Sequence, residues 1–178
     1  MSSVIPRSLG SPVLPLLPVS RAHLFAGYGL AFLVLVLDQA TKYAVHDFTP
    51  YGWSQAVTGF FNLVHVWNFG AAFSFLADAG GWQRFFFGGV ALIVSTWLVF
   101  ELRKPLAATE RAAHAVLLGG ALGNGVDRAV RGYVVDFLDV HVQGWHWPAF
   151  NIADIGIVGG AGLLIWCAFL NRHPEAAA

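Results

Sequence analysis

Apolar residues are concentrated in four stretches of the chain, at about residues 24–43, 83–101, 112–130 and 152–170. Each stretch approaches the roughly 20 apolar residues that a helix needs to cross a bilayer. The second and fourth are almost uninterrupted, whereas the first and third end in polar sequence, at residues 38–42 and 124–128. The pattern predicts an all-α membrane protein with four transmembrane helices, in which polar groups collect at the ends of the first and third helices.

The segments on either side of these stretches have a different composition. Residues 1–22 contain four of the eight prolines, together with serines and two charged side chains. Because proline cannot continue a helix and interrupts the apolar sequence, we expect a disordered tail rather than a secretory signal. Residues 23–172 then form a single membrane domain, and residues 173–178 form a second short tail.

Basic residues predict the orientation, since Lys and Arg are enriched in cytoplasmic loops. Six of the ten lie on one side of the predicted helices: Arg7, Arg21, Arg103, Lys104, Arg111 and Arg172. This bias places both termini in the cytoplasm. The outer segments, at about residues 44–82 and 131–151, are rich in aromatic residues suited to the headgroup region. Within the first of them, β-branched and aromatic residues at 56–67 predict short strands.

The composition supports a membrane location and excludes some functions. Apolar residues make up 57% of the chain and charged residues 11%, against about 25% charged in soluble proteins. The ten basic and ten acidic residues balance, so the chain has no positive field for binding nucleic acid. The one cysteine, Cys167, lies in an apolar stretch, which excludes an internal disulfide and favours a buried packing role.

Two acidic residues, Asp136 and Asp154, are the candidate catalytic groups. Ionisable side chains at membrane depth cost about 2.5 to 3.5 kcal/mol each, so they are functional candidates. Asp136 follows the third predicted helix and Asp154 lies near the start of the fourth, which places both near the outer face. Two close carboxylates that share one proton can act as base and acid in peptide hydrolysis, without a metal. On spacing alone, helix caps or ion-pair partners explain the two acids equally well.

Other acidic residues have structural interpretations. Asp38 and Lys42 are spaced i, i+4, which suits an ion pair within one helix. Asp127 is followed by Arg128, and Arg131 lies one turn further on, so a buried ion pair at the outer end of the third helix accounts for it.

Small and polar residues add further candidates. Residues 119–123 are mostly glycine and alanine, which favours close helix packing in lipid. Asn124 follows on the same helix and can hydrogen-bond either a substrate or a neighbouring helix. Asn68 and Gly70 indicate a turn that opens a short helix, with Asn68 as its cap. The outer histidines lack the spacing of a helical zinc motif, so we expect interfacial packing and no metal at His65, His141 and His146.

Four sequence motifs occur in order along the chain. They are Asp38-Gln39-Ala40-Thr41-Lys42; Asn68-Phe69-Gly70-Ala71-Ala72-Phe73-Ser74; Gly119-Gly120-Ala121-Leu122-Gly123-Asn124-Gly125-Val126-Asp127-Arg128 with Gly132-Tyr133-Val134-Val135-Asp136-Phe137; and Phe150-Asn151-Ile152-Ala153-Asp154. Together they resemble the motifs of the lipoprotein signal peptidases, also called signal peptidase II, a family of intramembrane aspartic endopeptidases.

The resemblance implies a fold and a reaction. Members of this family have four transmembrane helices, a small periplasmic β-cradle and a mobile outer loop over the site, and they lie in the bacterial inner membrane. They remove signal peptides from diacylglyceryl-modified prolipoproteins by cleaving just before the lipidated cysteine. No cofactor is implied. We expect a monomer whose partners are these substrates and membrane lipid.

The resemblance also implies roles for individual residues. The catalytic pair would be Asp136 and Asp154, the same pair that their positions favour. The residues that would hold the substrate or support the pair are Asn68, Gly70, Asn124, Arg128 and Asn151. Structural roles would fall to Asp38, Lys42 and Asp127. Asp139, close to Asp136 in the sequence, adds another acid and raises the question of which carboxylates are coupled.

Two other classes of protein serve as alternatives. A transporter should carry acidic residues near the membrane midplane and show repeats between its halves, and this sequence shows neither feature. A non-catalytic scaffold or binding subunit would tolerate Asp→Asn changes at positions 136 and 154 with its function retained.

Overall fold

The computed structural model describes residues 20–70 and 80–171 of the chain. The helices in this part are α1 (Arg21–Phe48), α2 (Gln83–Glu101), α3 (Ala108–Val130) and α4 (Ile152–Asn171). The strands are β1 (Ser54–Thr58), β2 (Phe61–Asn68), β3 (Val134–Val142) and β4 (Trp145–His146). Most of the predicted N-terminal tail, the short C-terminal tail and part of the predicted outer loop lie outside the described residues, at 1–19, 172–178 and 71–79.

The four predicted helices are present, but α1 is longer than its predicted span at both ends. It begins at Arg21 because Ser20 caps it, with the Ser20 side chain accepting a hydrogen bond of 3.3 Å from the His23 N–H. At the other end it continues to Phe48. The polar residues Asp38 and Lys42 therefore lie within α1 rather than at its end.

Three helices in the described part of the chain are long and apolar enough to cross a membrane: Arg21–Phe48, Gln83–Glu101 and Ile152–Leu170. α3 falls short, since it combines small residues with the polar residues Asn124, Asp127 and Arg128. It packs against α1, α2 and α4, and ten of its 23 residues are buried. The buried polar residues of α3 therefore contact neighbouring helices.

Glycines let α3 approach its neighbours closely, which confirms the packing interpretation of residues 119–123. A side-chain carbon added at Gly119 would lie 2.5 Å from the Ala31 carbonyl oxygen of α1. One added at Gly120 would overlap the Ala153 carbonyl oxygen of α4. The apolar core beside these contacts contains Ala31, Leu98, Leu102, Ala115 and Leu118. This close approach brings the polar residues of α3 within hydrogen-bonding reach of α1 and α4.

The strands form a small antiparallel sheet in the order β1-β2-β3-β4, and β1 and β2 occupy the region where the sequence predicts short strands. β3 follows α3 after a turn at Gly132, whose φ of 84° lies in the left-handed region that favours glycine. In the pairing of β2 with β3, Val66 lies opposite Asp136 and Asn68 lies opposite Val134. The sheet therefore brings the end of β2 beside Asp136.

Candidate active site

Asp136 lies near the start of β3 and is almost fully buried, with 2% of its surface exposed. One of its carboxyl oxygens, Oδ2, accepts a hydrogen bond of 2.9 Å from Asn68 Nδ2. The other, Oδ1, accepts a hydrogen bond of 2.6 Å from Asn151 Nδ2. Two asparagine side chains from separate segments therefore fix both oxygens of this carboxyl group.

Asp154 lies in the first turn of α4, where it forms a reciprocal cap with Asn151. Asn151 Oδ1 accepts from the Asp154 N–H at 2.9 Å, and Asp154 Oδ2 accepts from the Asn151 N–H at 3.2 Å. The second oxygen of Asp154 accepts a hydrogen bond of 2.8 Å from Asn124 Nδ2 on α3. The sequence of α4 thus uses its own N-terminal cap to orient Asp154.

The two carboxyl groups share Asn151 as a hydrogen-bonding partner and interact electrostatically. Burial, together with the negative charge of Asp154, raises the pKa of Asp136 to about 7, and the hydrogen bonds from Asn68 and Asn151 offset only part of this shift. Asp136 therefore holds a proton up to about neutral pH. This arrangement can supply a general acid and a general base to the same reaction.

A buried ion-pair network lies next to this pair. The Lys42 ammonium contacts Asp38 Oδ2 at 2.9 Å and Asp127 Oδ2 at 3.0 Å, and the three side chains are fully buried. The predicted Asp38–Lys42 pair is confirmed. Asp127 pairs with Arg131 as well as with Lys42, so the expected ion pair at the C-terminal end of α3 is also present.

Arg128 does not take part in that ion pair, although it follows Asp127 in the sequence. Its Nη2 donates to the Gly70 carbonyl oxygen at 2.9 Å, and its Nη1 donates to the Asn124 carbonyl oxygen at 3.3 Å. The guanidinium carbon lies 5.2 Å from the centre of the Phe87 ring. Arg128 therefore links α3 to the chain that follows β2.

The turn predicted at Asn68 is present. Asn68 Oδ1 accepts a hydrogen bond of 3.0 Å from the Gly70 N–H, which leaves Asn68 Nδ2 free to contact Asp136. The short helix expected after this turn lies at residues 71–79, outside the described residues. Asn68 and Gly70 are thus brought to the site with Asn124, Arg128 and Asn151, as the resemblance implied.

Two contacts of the site were not predicted from the sequence. Asp38 Oδ1 accepts a hydrogen bond of 2.8 Å from the Ala153 N–H at the start of α4. Gln39 Nε2 lies 3.1 Å from the Gly123 carbonyl oxygen and 3.3 Å from Asp127 Oδ1. These contacts depend on how α1, α3 and α4 rotate against each other, which the sequence does not specify. The one available signal was that Gln39 adjoins Asp38 in a motif.

Asp139 belongs to a separate cluster at the far end of β3. Its carboxyl oxygens accept from Asn62 Nδ2 at 2.8 Å and contact His146 Nδ1 at 2.9 Å. Burial alone would raise the pKa of Asp139, but the hydrogen bonds from His146 and Asn62 bring it below the ordinary value. The acid whose charge raises the pKa of Asp136 is Asp154, and Asn151 contacts both of these carboxyl groups.

The outer histidines make packing contacts, as expected. His65 Nδ1 contacts the Thr49 carbonyl oxygen at 3.0 Å, and His65 Nε2 accepts from Trp67 Nε1 at 3.0 Å. The rings of His141 and His146 stack with centres 4.9 Å apart. Within residues 20–70 and 80–171, no group of three or more His, Cys, Asp or Glu side chains is arranged to hold a metal ion.

Two grooves flank the candidate site. One has a volume of about 630 Å³ and is lined by Asp154 and by apolar residues that include Trp147, Phe150, Ile155 and Val158. The second, of about 640 Å³, runs between α2 and α3 and includes Arg128 in its lining. Asp154 therefore lines an apolar groove that runs along α4.

Together, the fold and the site define a class of protein: a helical membrane protein with two coupled carboxyl groups, the arrangement that aspartic proteases use. Comparison with known families agrees with this class. The family model for signal peptidase (SPase) II matches residues 30–170. The chain belongs to this family, whose members are proteases that remove signal peptides from prolipoproteins.

Individual relatives support the same family. The chain is 47% identical over 154 residues to a lipoprotein signal peptidase of Serratia marcescens, a match that covers 86% of this chain and 91% of the relative. It is 54% identical over 138 residues to one of Ralstonia nicotianae, covering 77% and 80%. A bacterial membrane enzyme solved by the in meso method at 2.3 Å resolution matches with a TM-score of 0.77 and 31% identity, covering 86% of this chain and 93% of that chain.

Proposed function

We propose that this chain cleaves diacylglyceryl-modified prolipoproteins just before the lipidated cysteine, with Asp136 and Asp154 as its catalytic pair. The observation that carries the assignment is the position of Asn151. Its side-chain Nδ2 donates to Asp136 at 2.6 Å and its main-chain N–H donates to Asp154 at 3.2 Å. One residue therefore contacts both carboxyl groups and holds them beside each other.

The coupled pair supplies the chemistry of peptide hydrolysis. Two interacting carboxyls do not both ionise easily, so the pair carries one proton near neutral pH. The ionised carboxylate takes a proton from water as the water oxygen attacks the scissile carbonyl carbon, and the protonated carboxyl gives its proton to the carbonyl oxygen. Collapse of the tetrahedral intermediate breaks the C–N bond, and the amine leaves with a proton. This reaction needs no metal or cofactor.

The surroundings of the pair suit a substrate that is embedded in lipid. The apolar groove beside Asp154 is large enough, at about 630 Å³, to receive an acyl chain or an apolar stretch of signal peptide. Arg128 and Gly70 approach the site from α3 and from the end of β2, and their hydrogen bond of 2.9 Å ties these two segments together. The residues that we propose to hold the substrate or to support the pair are Asn68, Gly70, Asn124, Arg128 and Asn151.

The membrane arrangement is part of the same proposal. We propose that α3 spans the bilayer with the three apolar helices, because it packs against all of them. The loop between α2 and α3 carries Arg103 and Lys104, and Arg111 follows in the first turns of α3, which favours the cytoplasm for this side and for both termini. The sheet and the carboxyl pair then lie at the periplasmic face of a bacterial inner membrane. We propose that the chain acts there as a monomer.

A cleavage assay with purified full-length protein tests this function. The substrate is a prolipoprotein that carries the diacylglyceryl group, run beside its unmodified form, and cleavage is followed by gel shift. We expect cleavage of the lipidated form alone. Asp136→Asn and Asp154→Asn should each lower the rate by at least about 10²-fold, because an amide keeps the shape of the carboxyl but cannot exchange the proton.

Asp139→Asn is the matched control. Asp139 is an acid on the same strand as Asp136, but it contacts His146 and Asn62 instead of the pair. Its substitution should leave cleavage in place, and circular dichroism with gel filtration should show that all three variants are folded. Cleavage by folded Asp136→Asn or Asp154→Asn would refute the catalytic pair, and cleavage of unmodified substrate at an equal rate would refute the substrate class.

A further inference from the structure

Lys42 is fully buried and uses each of its donors on a different partner. Its Nζ contacts Asp38 Oδ2 at 2.9 Å, Asp127 Oδ2 at 3.0 Å and Asn124 Oδ1 at 2.8 Å. A lysine ammonium has three N–H donors and no acceptor. The third contact is therefore a directed hydrogen bond from α1 to the side chain of Asn124 on α3.

This bond fixes which way the Asn124 amide points. Because Lys42 can only donate, Asn124 must present its oxygen to Lys42, and its NH2 group is then turned toward Asp154. The distance from Asn124 Nδ2 to Asp154 Oδ1 is 2.8 Å. Lys42 thus acts on Asp154 through one intervening amide.

The amides around Asp136 are oriented by the same rule. Asn68 Oδ1 accepts from the Gly70 N–H at 3.0 Å and Asn151 Oδ1 accepts from the Asp154 N–H at 2.9 Å. Since main-chain N–H groups can only donate, both asparagines must turn their NH2 groups toward Asp136. Lys42 contacts neither of these amides, and the Asn124 oxygen that it does contact also accepts a hydrogen bond of 3.3 Å from Asn151 Nδ2. Of the two donors that orient the Asn124 amide, Lys42 is the nearer, at 2.8 Å, and the charged one.

The two carboxyls also differ in their place in the fold. Asp154 lies in the first turn of α4, where the helix dipole and the Asn151 N–H favour a negative charge. Asp136 lies on a strand and is 2% exposed, so it gains no helix dipole and its charged form is poorly solvated. The charge of Arg128 acts on both carboxyls and more strongly on Asp154, so it favours a negative charge on the same carboxyl.

We infer that Lys42 is a positioning residue that makes Asp154 the ionised base of the pair, by holding the Asn124 amide with its NH2 group toward Asp154. Asp136 then carries the proton at rest. This inference rests on the catalytic pair proposed above and assigns the role of base to Asp154 and the role of acid to Asp136. The raised pKa of Asp136, caused by burial and by the charge of Asp154, agrees with this assignment.

The assignment fixes the path of each proton. Asp154 takes a proton from water as the water oxygen bonds to the carbonyl carbon, and Asp136 gives its proton to the carbonyl oxygen, which leaves a neutral gem-diol. Asp154 then returns its proton to the amine nitrogen as the C–N bond breaks, and Asp136 recovers a proton from one hydroxyl of the diol. The pair ends in its starting state, with a new acid and a new amine.

Two variants separate this role from a purely structural one. Asp38→Asn removes a carboxylate partner of Lys42 but keeps the hydrogen bond from Lys42 to Asn124. The double variant Lys42→Met/Asp38→Asn removes the ammonium and keeps the buried charges balanced, since Asp127 retains Arg131. The measurement is the pH profile of kcat/KM for cleavage of lipidated prolipoprotein by folded, full-length protein.

In the double variant, the acid limb of the profile should move up by about one pH unit, a tenfold loss of activity on that limb. The reason is that Asn124 Oδ1 then keeps only its hydrogen bond of 3.3 Å from Asn151, which holds the Asn124 NH2 group toward Asp154 less firmly. In Asp38→Asn the acid limb should stay at its wild-type pH. If Lys42 had only a structural role, its removal would lower the rate by the same factor at every pH. A double variant with the wild-type acid limb would overturn the inference.

Infrared difference spectra provide a second test that does not depend on the Lys42 variants folding. The stretch of a protonated carboxyl group should titrate near pH 7 in the wild type and be lost in Asp136→Asn. If this stretch were instead lost in Asp154→Asn and retained in Asp136→Asn, the proton would belong to Asp154 and the inference would be overturned. Active folded Asp136→Asn or Asp154→Asn would instead refute the pair itself, so the two failures are distinguishable.

Discussion

Asn151 and Asp154 cap each other at the N-terminus of α4, with hydrogen bonds of 2.9 Å and 3.2 Å between the side chain of each and the main-chain N–H of the other. Such a cap satisfies N–H groups that a helix leaves unpaired in its first turn. Here one partner of the cap is a proposed catalytic acid. The start of the helix and the orientation of the carboxyl group are therefore set by the same two hydrogen bonds.

Asn151→Ser separates the capping role of Asn151 from its contact with Asp136. Serine caps helices nearly as well as asparagine, so Asn151→Ser should keep the stability that the cap contributes, about 1 kcal/mol relative to an alanine. The hydrogen bond of 2.6 Å from Asn151 Nδ2 to Asp136 is lost, and cleavage should fall about tenfold or more because Asp136 is no longer held in place. Unfolding in detergent and the cleavage assay measure the two effects.

Asn151→Ala is the comparison for this variant. It removes both roles, so it should lose activity and also about 1 kcal/mol of stability. Full activity in Asn151→Ser would show that the contact between Asn151 and Asp136 is dispensable.

Cleavage should weaken as the pH rises above about 7. Burial and the charge of Asp154 raise the pKa of Asp136 to about 7, so at higher pH the pair loses its shared proton and has no acid to give the carbonyl oxygen. The kcat/KM profile should therefore fall on its alkaline side with a midpoint near that pH. A profile that stays flat from about pH 6 to pH 9 would contradict this prediction.

The raised pKa of Asp136 also makes the stability of the fold depend on pH. The pKa of folded Asp136 lies above the ordinary value of 3.8, so the folded chain binds this proton more tightly than the unfolded chain does. The stabilisation from this group is complete below about pH 4 and is lost as the pH rises toward 7. Unfolding of Asp136→Asn, whose side chain does not ionise, should lack this part of the pH dependence.

Gly120→Ala should destabilise the contact between α3 and α4. The added carbon would overlap the Ala153 carbonyl oxygen, and overpacking of this kind costs about 1 to 3 kcal/mol. Because Ala153 adjoins Asp154, cleavage should also decrease. Gly159→Ala is the matched control on α4, where nothing lies within 4 Å of the added carbon, and it should be neutral or stabilise by up to about 1 kcal/mol. Equal unfolding curves for the two variants would contradict the packing argument.

The sequence was sufficient to predict features that depend on local spacing. The apolar stretches predicted the four helices, and the i, i+4 spacing predicted the contact between Asp38 and Lys42, which is 2.9 Å. The positions of Asp136 and Asp154 made them candidates for a pair, and the preference over helix caps or ion-pair partners came from the family resemblance. These relationships hold for any packing of the helices.

Contacts that cross between helices were not predictable in the same way. Lys42 lies on α1 and reaches Asn124 and Asp127 on α3, and this requires the rotation and depth that the glycines of α3 allow. The sequence indicates Arg128 as a possible partner of Asp127 because the two residues are adjacent. Neighbouring helical residues point in different directions, and Arg128 instead reaches Gly70.

The low hydropathy of α3 also bears on how the protein is made. The three apolar helices can partition into lipid on their own composition, whereas a helix that carries Asn124, Asp127 and Arg128 gains little from lipid alone. Under the proposed topology, α3 becomes stable in the bilayer when α1 supplies Lys42 and Asp38, and when Gly156 and Gly160 of α4 pack closely against its backbone. Insertion of α3 is then cooperative with that of α1, since the buried charges of the two helices are neutralised only when Lys42 reaches Asp127.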